Sequence, residues 1–415
     1  MINSNKKQIT IAGMGKSGLS VADYLSSAGI SFDCCDDNDD YPNCINAIKH
    51  HGYIIKSPGM PAEAMPISVS NQTLNDVELF LRIARRPVIM VTGTNGKSTV
   101  VSMLEHMFRA CGVDAVACGN NGIPVLQAYA GKHDLYILEL SSYQLENIAS
   151  FPSVSSVVLN IGIDHVDRYR DMAEYEAVKQ KIYSSSMVSV FPVSREGDIE
   201  YRMGIRGYVA ASVKGKVTYS LDPGEVLKND KLYCKTSDIT LPGQHNHINI
   251  CAALALIDVF EFEDNSLIQA INSFAGLPHR MEIVCKDSHG YVWINDSKST
   301  NVHSLWAALS SQTMPVCLIM GGRGKGEDYS QVLKKFSPVI GRLIAYGEDG
   351  GLIISQALSI SDRVAVKTVS EAVAEASSYK GDVIFSPACA SFDQYSDFVE
   401  RGNDFKQQVK SVVTC

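Results

Sequence analysis

The feature that most constrains the fold of this 415-residue chain is an apolar run that ends in a glycine-rich polar turn. Val88-Ile89-Met90-Val91 is typical of a buried strand, and a helical pattern begins near Lys97. The turn contains Thr92, Gly93, Thr94, Asn95, Gly96, Lys97, Ser98 and Thr99. Its spacing is GxxGKS, because a valine stands where the longer GxxxxGK[ST] motif has its first glycine. Glycines let backbone N–H groups approach a polyphosphate, so the stretch predicts a nucleotide-binding α/β module.

The amino-acid composition excludes some classes of function. The chain has 45 acidic and 37 basic residues, a formal charge of −8, which argues against a general nucleic-acid binder and favours small-molecule partners. Eleven cysteines without a CxxC pair predict reduced thiols. No apolar leader precedes the first strand, and no run of 18 apolar residues occurs. We therefore expect a cytoplasmic monomer without a membrane span.

The alternation of short β-type runs with helical stretches predicts an α/β protein of three modules. The first, residues 1–86, has the pattern of a Rossmann-like unit, with strands near residues 8–12, 30–35 and 52–56. The second, residues 87–276, contains the phosphate loop, and the third, residues 277–415, alternates again in a Rossmann-like way. Turn signals near residues 194–198 and 222–224 indicate a β-rich stretch in the second module.

Polar residues at two strand ends are candidate metal ligands. Glu139 ends one apolar run of the second module and His165 follows the next, and ligands of open α/β sheets bind at such carboxyl ends. Hard oxygen donors suit Mg²⁺. Taken alone, Glu139 fits a solvent-facing cap equally well, and His165 fits an ordinary core or surface histidine.

A second glycine pattern, Gly13-x-Gly15-x-x-Gly18, follows the first strand, and Asp36 follows the next strand, as in a dinucleotide fingerprint. About 80 residues before the phosphate loop are too few for a complete dinucleotide fold. We therefore expect a nucleotide-linked substrate there.

Several motifs together resemble one family, the Mur ligases, which form amide bonds in bacterial cell-wall precursors. The resemblance rests on the phosphate loop, Glu139-Leu140-Ser141-Ser142, the polar run at residues 160–168, Gly243-Gln244-His245-Asn246 and Leu277-Pro278-His279-Arg280-Met281-Glu282. Three further stretches are similar to those of the members that add D-glutamate: Ser57-Pro58-Gly59, residues 295–301 and residues 386–393. The resemblance implies three domains, with the boundaries above, and ligation of D-glutamate to UDP-N-acetylmuramoyl-L-alanine through an acyl phosphate made with ATP.

The resemblance also implies a role for each matching residue. The ATP site would contain Gly93, Thr94, Asn95, Gly96, Lys97, Ser98, Thr99, Asn246, Asn249, Arg280 and Asp296. The UDP-substrate site would contain Gly15, Lys16, Ser17, Asp36, Ser57, Gly59 and Asn120. The D-glutamate site would contain His279, Lys298, Thr300, Lys325, Ser391 and Phe398. Two Mg²⁺ ions would be bound by Ser98, Glu139, His165 and Lys179, the last as a carbamate, and Lys97, Glu139, His165 and Lys179 would be the catalytic set.

Some features depart from the family or leave alternatives open. Arg323 stands where relatives commonly have an acidic residue, Ser299 replaces an alanine, and the β-rich stretch at residues 191–240 matches no motif. Lys179 would otherwise be an ordinary surface lysine, Asn246 a helix cap and Arg280 part of an interdomain ion pair. Other functions to be tested are a ligase for a different amino acid, a folylpolyglutamate synthetase, a nucleotide-binding regulator and a dehydrogenase.

Overall fold

The computed structural model describes residues 9–35, 52–58, 73–120, 122–146, 148–150, 152–162, 168–194, 196–201, 204–241, 243–310 and 312–414. The chain divides into two compact units, Met1–Ala275 and Gly276–Cys415. Both units combine parallel strands with helices, so the predicted α/β fold class is confirmed. The division into three modules stays a prediction.

The described residues of the amino-terminal unit form two sheets, and the smaller is parallel, with strand order β2-β1-β3-β4. Its strands are β1 Ile9–Ala12, β2 Phe32–Cys35, β3 Tyr53–Lys56 and β4 Thr73–Leu74. The helices beside it are α1 Lys16–Ser27 and α2 Asp76–Ile83. The Asn75 side chain caps α2 by accepting a hydrogen bond from Glu78 N at 2.7 Å.

The larger sheet of this unit has the described order β13-β12-β11-β10-β9-β8-β5-β7-β6. Its strands are β5 Val88–Thr92, β6 Ala115–Gly119, β7 Leu135–Glu139, β8 Ser153–Val158, β9 Ser186–Val193, β10 Gly207–Ser212, β11 Gly215–Asp222, β12 Glu225–Lys228 and β13 Lys231–Lys235. Its helices are α3 Lys97–Ala110, α4 Val125–Ala130, α5 Ser142–Glu146, α6 Met172–Gln180, α7 Gln244–Ile257 and α8 Asp264–Ser273. Strands β5 to β9 pair in parallel, and β10 to β13 extend the sheet antiparallel. The β-rich stretch is therefore a continuation of the nucleotide-binding sheet.

The carboxyl-terminal unit has one described sheet, of order β14-β15-β19-β16-β17-β18. Its strands are β14 Glu282–Lys286, β15 Val292–Asn295, β16 Val316–Gly321, β17 Ile340–Tyr346, β18 Arg363–Ala365 and β19 Val383–Ala388. Only the β14–β15 pair among these is antiparallel. The helices are α9 Val302–Ser310, α10 Ser330–Phe336, α11 Gly350–Gln356, α12 Val369–Ala376 and α13 Phe398–Val412.

Strand β5 shows how the cores are built, because its side chains alternate between two hydrophobic clusters. Ile89 and Val91 pack with α3 and α7 on one face. Val88 and Met90 pack on the other face, in a cluster that also contains Ile11 of β1. The small sheet and the central sheet therefore share one apolar core. This core holds β1 and β5, the two strands that the glycine turns follow.

Two further expectations can be compared with the structure. Within the described ranges seven cysteines are free thiols, as predicted, namely Cys34, Cys111, Cys118, Cys234, Cys251, Cys317 and Cys389. Cys35 and Cys285 are disulfide-bonded, so the prediction of reduced thiols is wrong at these two positions. Among the helices that the structure describes, none has both the length and the apolarity needed to cross a membrane.

Candidate nucleotide and substrate sites

The predicted phosphate loop is a tight turn between β5 and α3, and both of its glycines have positive φ. Gly93 has φ +148° and Gly96, which precedes α3, has φ +84°. A Cβ on Gly96 would lie 2.6 Å from Asn249 Oδ1. The loop thus needs glycine for its conformation and for the close approach of α7. The structure brings Asn249 against the loop, with Asn246 buried one turn earlier on α7.

The segment after β8 fixes the tip of the loop. Asn95 N donates to Asn160 Oδ1 at 2.8 Å, and Asn160 Nδ2 donates to Asn95 O at 3.1 Å. Thr94 Oγ1 accepts from Gly162 N at 2.9 Å and lies 3.2 Å from Tyr175 Oη of α6. Four elements therefore hold the loop: β5, α3, the segment after β8, and α6.

Two lysines donate to the same carbonyl of the loop. Lys97 Nζ lies 2.8 Å from Gly93 O and 3.0 Å from Thr94 O. Lys179 Nζ, on α6, lies 3.0 Å from Gly93 O and 3.4 Å from Thr92 Oγ1. Lys179 is 1% exposed, so it is not an ordinary surface lysine. The structure therefore brings both lysines to one point, with Ser98 and Thr99 half-buried in the first turn of α3.

Glu139 ends β7 beside the phosphate loop, in register with Val91 of β5. Its Oε1 accepts from Asn120 Nδ2 at 3.0 Å, whereas its Oε2 is buried and has no hydrogen-bond partner among the described residues. In those residues no three His, Cys, Asp or Glu side chains form a metal cluster. A buried, unsatisfied carboxylate oxygen beside a phosphate loop fits Mg²⁺, which takes few protein ligands and completes its shell with phosphate and water. His165, the other predicted ligand, lies outside the described residues.

The amino-terminal glycine motif packs α1 closely against β1 and β3. A Cβ on Gly18 would lie 2.0 Å from Gly13 O, which accepts from Ser57 Oγ at 2.7 Å. Gly15 precedes α1, and Lys16 and Ser17 form its first turn. Ser57 thus joins this cluster, whereas Asn120 lies by Glu139. The predicted substrate residues Asp36 and Gly59 lie outside the part of the chain that the structure describes.

In the carboxyl-terminal unit, Asp296 follows β15 and is 8% exposed. Its carboxylate accepts from Met281 N at 3.2 Å and from Ser386 Oγ at 2.9 Å. Burial raises the pKa of Asp296 to about 7, although the Ser386 hydrogen bond opposes the rise. Arg280 is half-buried and immediately precedes Met281, and its positive charge also opposes the rise in the pKa of Asp296. The predicted nucleotide residues of this unit, Arg280 and Asp296, therefore lie near each other.

His279 is buried next to them, with φ +62°. Its backbone N–H donates to Glu282 Oε2 at 2.9 Å, and its Nδ1 lies 2.9 Å from Asn295 Nδ2. Burial lowers the pKa of the His279 imidazole, and nearby Lys406 lowers it further. The neutral ring then accepts from the Asn295 amide at Nδ1.

Five of the six predicted D-glutamate residues follow one of three strands or lie on one helix, and the sixth, His279, precedes β14. Lys298 and Thr300 follow β15, Lys325 follows β16, and Ser391 follows β19. Lys298 Nζ lies 3.8 Å from the centre of the Phe398 ring, a cation–π contact at the first residue of α13. His279 packs edge-on against the same ring at 6.3 Å between centroids. The structure thus brings together Lys298, Phe398 and His279.

Several residues of these sites were not assigned from sequence. Asn160 and Tyr175 form hydrogen bonds with the phosphate loop but lie 65 and 81 residues from their partners along the chain. In the sequence, the polar run after β8 was the only sign that the segment with Asn160 belongs to the site.

The two residues that depart from the family pattern make contacts within the carboxyl-terminal unit. Arg323 forms a two-bond ion pair with Glu348 at 2.8 and 2.9 Å, and Ser299 Oγ donates to Ser304 Oγ at 3.0 Å.

The fold and the loop geometry together define the class: an α/β protein with a phosphate loop between a central strand and its helix. Two family models match the sequence, the Mur ligase middle domain at residues 91–257 and the Mur ligase glutamate ligase domain at residues 279–388.

Full-length relatives then identify the family. The UDP-N-acetylmuramoylalanine–D-glutamate ligase of Hahella chejuensis is 34% identical, over 99% of this chain and 100% of the relative. The enzyme of that name from Escherichia coli K12 is 33% identical, with the same shares covered. The chain belongs to the Mur ligase family.

Solved structures support the fold. The crystal structure of MurC from Thermotoga maritima matches with a TM-score of 0.62 and 18% identity, over 98% of this chain and all of that one. MurF from Acinetobacter baumannii matches with a TM-score of 0.58 and 16% identity, over 89% of each chain. Folylpolyglutamate synthase from T. maritima matches with a TM-score of 0.52 and 13% identity, over 80% of this chain and 92% of that one. At such identities the likeness concerns the fold alone.

Proposed function

We propose that this protein ligates D-glutamate to UDP-N-acetylmuramoyl-L-alanine, converting ATP to ADP and phosphate, and so acts in peptidoglycan precursor synthesis. The observation that carries the proposal is the 34% identity to a UDP-N-acetylmuramoylalanine–D-glutamate ligase along essentially both whole chains. Family membership implies ATP and Mg²⁺. The phosphate loop and the unsatisfied Glu139 oxygen support this requirement.

The chemistry is positioning and charge stabilisation. A substrate carboxylate oxygen attacks the γ-phosphorus and ADP leaves; the neutral amine of D-glutamate then attacks the acyl carbon, phosphate leaves, and the nitrogen loses a proton. Backbone N–H groups at the start of α3 and the Lys97 ammonium would stabilise the phosphoryl oxygens. Mg²⁺, when bound, supplies further positive charge at those oxygens. Ser98 and Glu139 would hold it.

We propose that each substrate binds to its own module: the UDP substrate to residues 1–86, ATP to residues 87–276, and D-glutamate to residues 277–415. Support for the first comes from the clustering of Gly15, Lys16, Ser17 and Ser57 at the carboxyl ends of β1 and β3. For the third, Lys298 beside Phe398 supplies a cation for a dicarboxylate, with Ser391 at a neighbouring strand end.

We also propose that Lys179 is carbamylated. Its amine is buried, and it lies beside the Gly93 carbonyl of the phosphate loop rather than in water. Burial favours the neutral amine, which attacks CO₂ to give a carbamate and a proton. The resulting anion would be a second carboxylate-like group at the metal site near Glu139.

Replacing Lys179 tests the carbamate. Lys179→Ala should lower turnover about 10²-fold or more, since a metal ligand and its charge are lost. A short-chain carboxylate added to this variant should restore part of the turnover. Lys181→Ala, which replaces a neighbouring exposed lysine, is the control, and added carboxylate should not change its turnover. Full activity of Lys179→Ala, or no response to carboxylates, would contradict the carbamate.

The function itself is tested by phosphate release from ATP in the presence of UDP-N-acetylmuramoyl-L-alanine. We expect release with D-glutamate and not with L-glutamate, L-lysine, meso-diaminopimelate or no amino acid. Release with another of these amino acids would make the protein a different ligase. No phosphate release with any amino acid, D-glutamate included, would favour a nucleotide-binding regulator.

A further inference from the structure

We propose that Arg401 is a positioning residue for the amino-acid substrate, because its buried guanidinium ties together the segments that carry the predicted D-glutamate residues. This inference rests on the proposed function. Arg401 lies on α13, three residues after Phe398, and is 0% exposed. A residue buried in this way cannot contact a substrate in solution, so any effect on binding must pass through its partners.

The guanidinium makes three hydrogen bonds to two of these segments. Nε donates to Ser297 Oγ at 3.0 Å, and Nη2 donates to Ser297 O at 2.8 Å. Nη1 donates to Cys389 O at 3.0 Å. The Ser297 hydroxyl in turn donates to Phe398 O at 2.8 Å. One side chain therefore joins the end of β15, the end of β19 and the start of α13.

Each tied segment bears a predicted ligand of D-glutamate. Ser297 directly precedes Lys298, whose ammonium lies over the Phe398 ring. Cys389 stands two residues before Ser391.

The segment after β16, which carries Lys325, is held there as well. A Cβ on Gly322 would come within 3.1 Å of Arg401 Nη1. The backbones of Arg323 and Ala390 exchange two hydrogen bonds of 2.9 Å each. All four segments of the predicted pocket thus converge on the one guanidinium.

The chemistry of the site explains why arginine is needed. All three acceptors are neutral oxygens, so the buried charge is offset by hydrogen bonds rather than by a bound carboxylate. The guanidinium presents its N–H groups in a rigid planar fork, whereas a lysine ammonium is a single point that cannot reach three such acceptors. Arg401→Lys should therefore keep the charge and lose the alignment of the segments.

The test compares steady-state kinetics of Arg401→Lys and wild type for all three substrates. We expect the KM for D-glutamate to rise about tenfold or more, with the KM values for ATP and the UDP substrate changing less than about twofold. The matched control is Arg342→Lys. Arg342 is largely buried in the same unit, but it pairs with Glu375 and Asp362, away from the predicted pocket, and its replacement should leave all three KM values unchanged.

A second variant keeps the test decisive if Arg401→Lys does not fold. Ser297→Ala removes the acceptor of Nε and the link to Phe398 while retaining the arginine, and it should raise the KM for D-glutamate in the same selective way. Equal changes in all three KM values, or no change in either variant, would overturn the inference. Wild-type protein without D-glutamate-dependent turnover would instead overturn the proposed function, and the inference with it.

Discussion

Single residues of the carboxyl-terminal unit show how burial sets protonation. The Asp296 carboxyl has its pKa raised to about 7 by burial, whereas the His279 imidazole has its pKa lowered. Both shifts favour the uncharged forms, the expected result of removing these groups from water. At neutral pH the Asp296 carboxyl is therefore close to its own pKa, so the approach of another charge, such as that of a nucleotide, would change its protonation.

The pKa of Asp296 predicts how stability depends on pH. The folded carboxyl keeps its proton up to about pH 7, and the unfolded one loses it near about pH 4, so the folded state binds more protons in between. The free energy of unfolding should therefore fall as pH rises through this window, by on the order of a few kcal/mol. Urea denaturation across this range measures it. Asp296→Asn should lose most of that dependence, and an unchanged profile in this variant would assign it to other groups.

The phosphate-loop lysine gives a second prediction at this scale. Lys97→Ala should reduce phosphate release at least about 10²-fold, because a cation aimed at developing phosphoryl charge is removed. Binding of the UDP substrate, measured by calorimetry, should be unchanged. Lys214→Ala, at an exposed turn of the antiparallel strands, is the control for a lost lysine. Joint loss of turnover and UDP-substrate binding would show that the two predicted sites are not separate.

At the scale of elements, apolar runs were the reliable signal. The apolar run at residues 88–91 lies in β5 at Val88–Thr92, and the predicted strands near residues 8–12 and 52–56 are β1 at Ile9–Ala12 and β3 at Tyr53–Lys56. Two of the strands that were not predicted lack such runs: β14 at Glu282–Lys286 has no buried residue, and β4 has two residues. A third, β6 at Ala115–Gly119, is apolar and buried and was also not predicted. All three lie at the edges of their described sheets. Edge pairing depends on a neighbour elsewhere in the chain, so local pattern could not predict it.

Close helix packing predicts the effect of one glycine replacement. Gly18→Ala should destabilise the amino-terminal unit by about 1–3 kcal/mol, because the new methyl group would meet the Gly13 carbonyl oxygen at 2.0 Å. Gly15→Ala is the matched control, since a Cβ there meets nothing within 4 Å. Denaturant titration of both variants measures the difference. Equal stability would mean that α1 can shift away from β1 without cost.

At the scale of the whole molecule, the alternation of strand-like and helical patterns predicted the α/β class, and the family motifs predicted the candidate residues. Neither predicted the contacts between those residues. The Asn95–Asn160 and Ser297–Arg401 hydrogen bonds join residues 65 and 104 positions apart. Such pairings depend on strand order, which periodicity does not contain. Arg401 illustrates the limit, because an arginine on a polar helix would be expected at the surface from sequence alone.

The division into two units leads to a prediction about folding. The carboxyl-terminal unit has its own sheet, covered on its two faces by separate hydrophobic clusters that contain only residues of that unit. A fragment of residues 276–415 should therefore fold alone and unfold in one cooperative transition. Circular dichroism during urea titration tests this. A fragment without a cooperative transition would show that the unit depends on the rest of the chain.

The shared carbonyl of Gly93 has a consequence for nucleotide affinity. Lys97 and Lys179 are already occupied in this structure, since both donate to that one oxygen. A polyphosphate that binds the Lys97 ammonium must compete with the backbone carbonyls of the loop for the hydrogen bonds that this ammonium donates. The affinity then depends on the difference between two sets of hydrogen bonds, and a short phosphate that cannot reach Lys97 neither gains nor loses by the exchange. The loop would thereby act as an internal competitor, which reduces the affinity that a nucleotide gains from a phosphate chain long enough to reach Lys97.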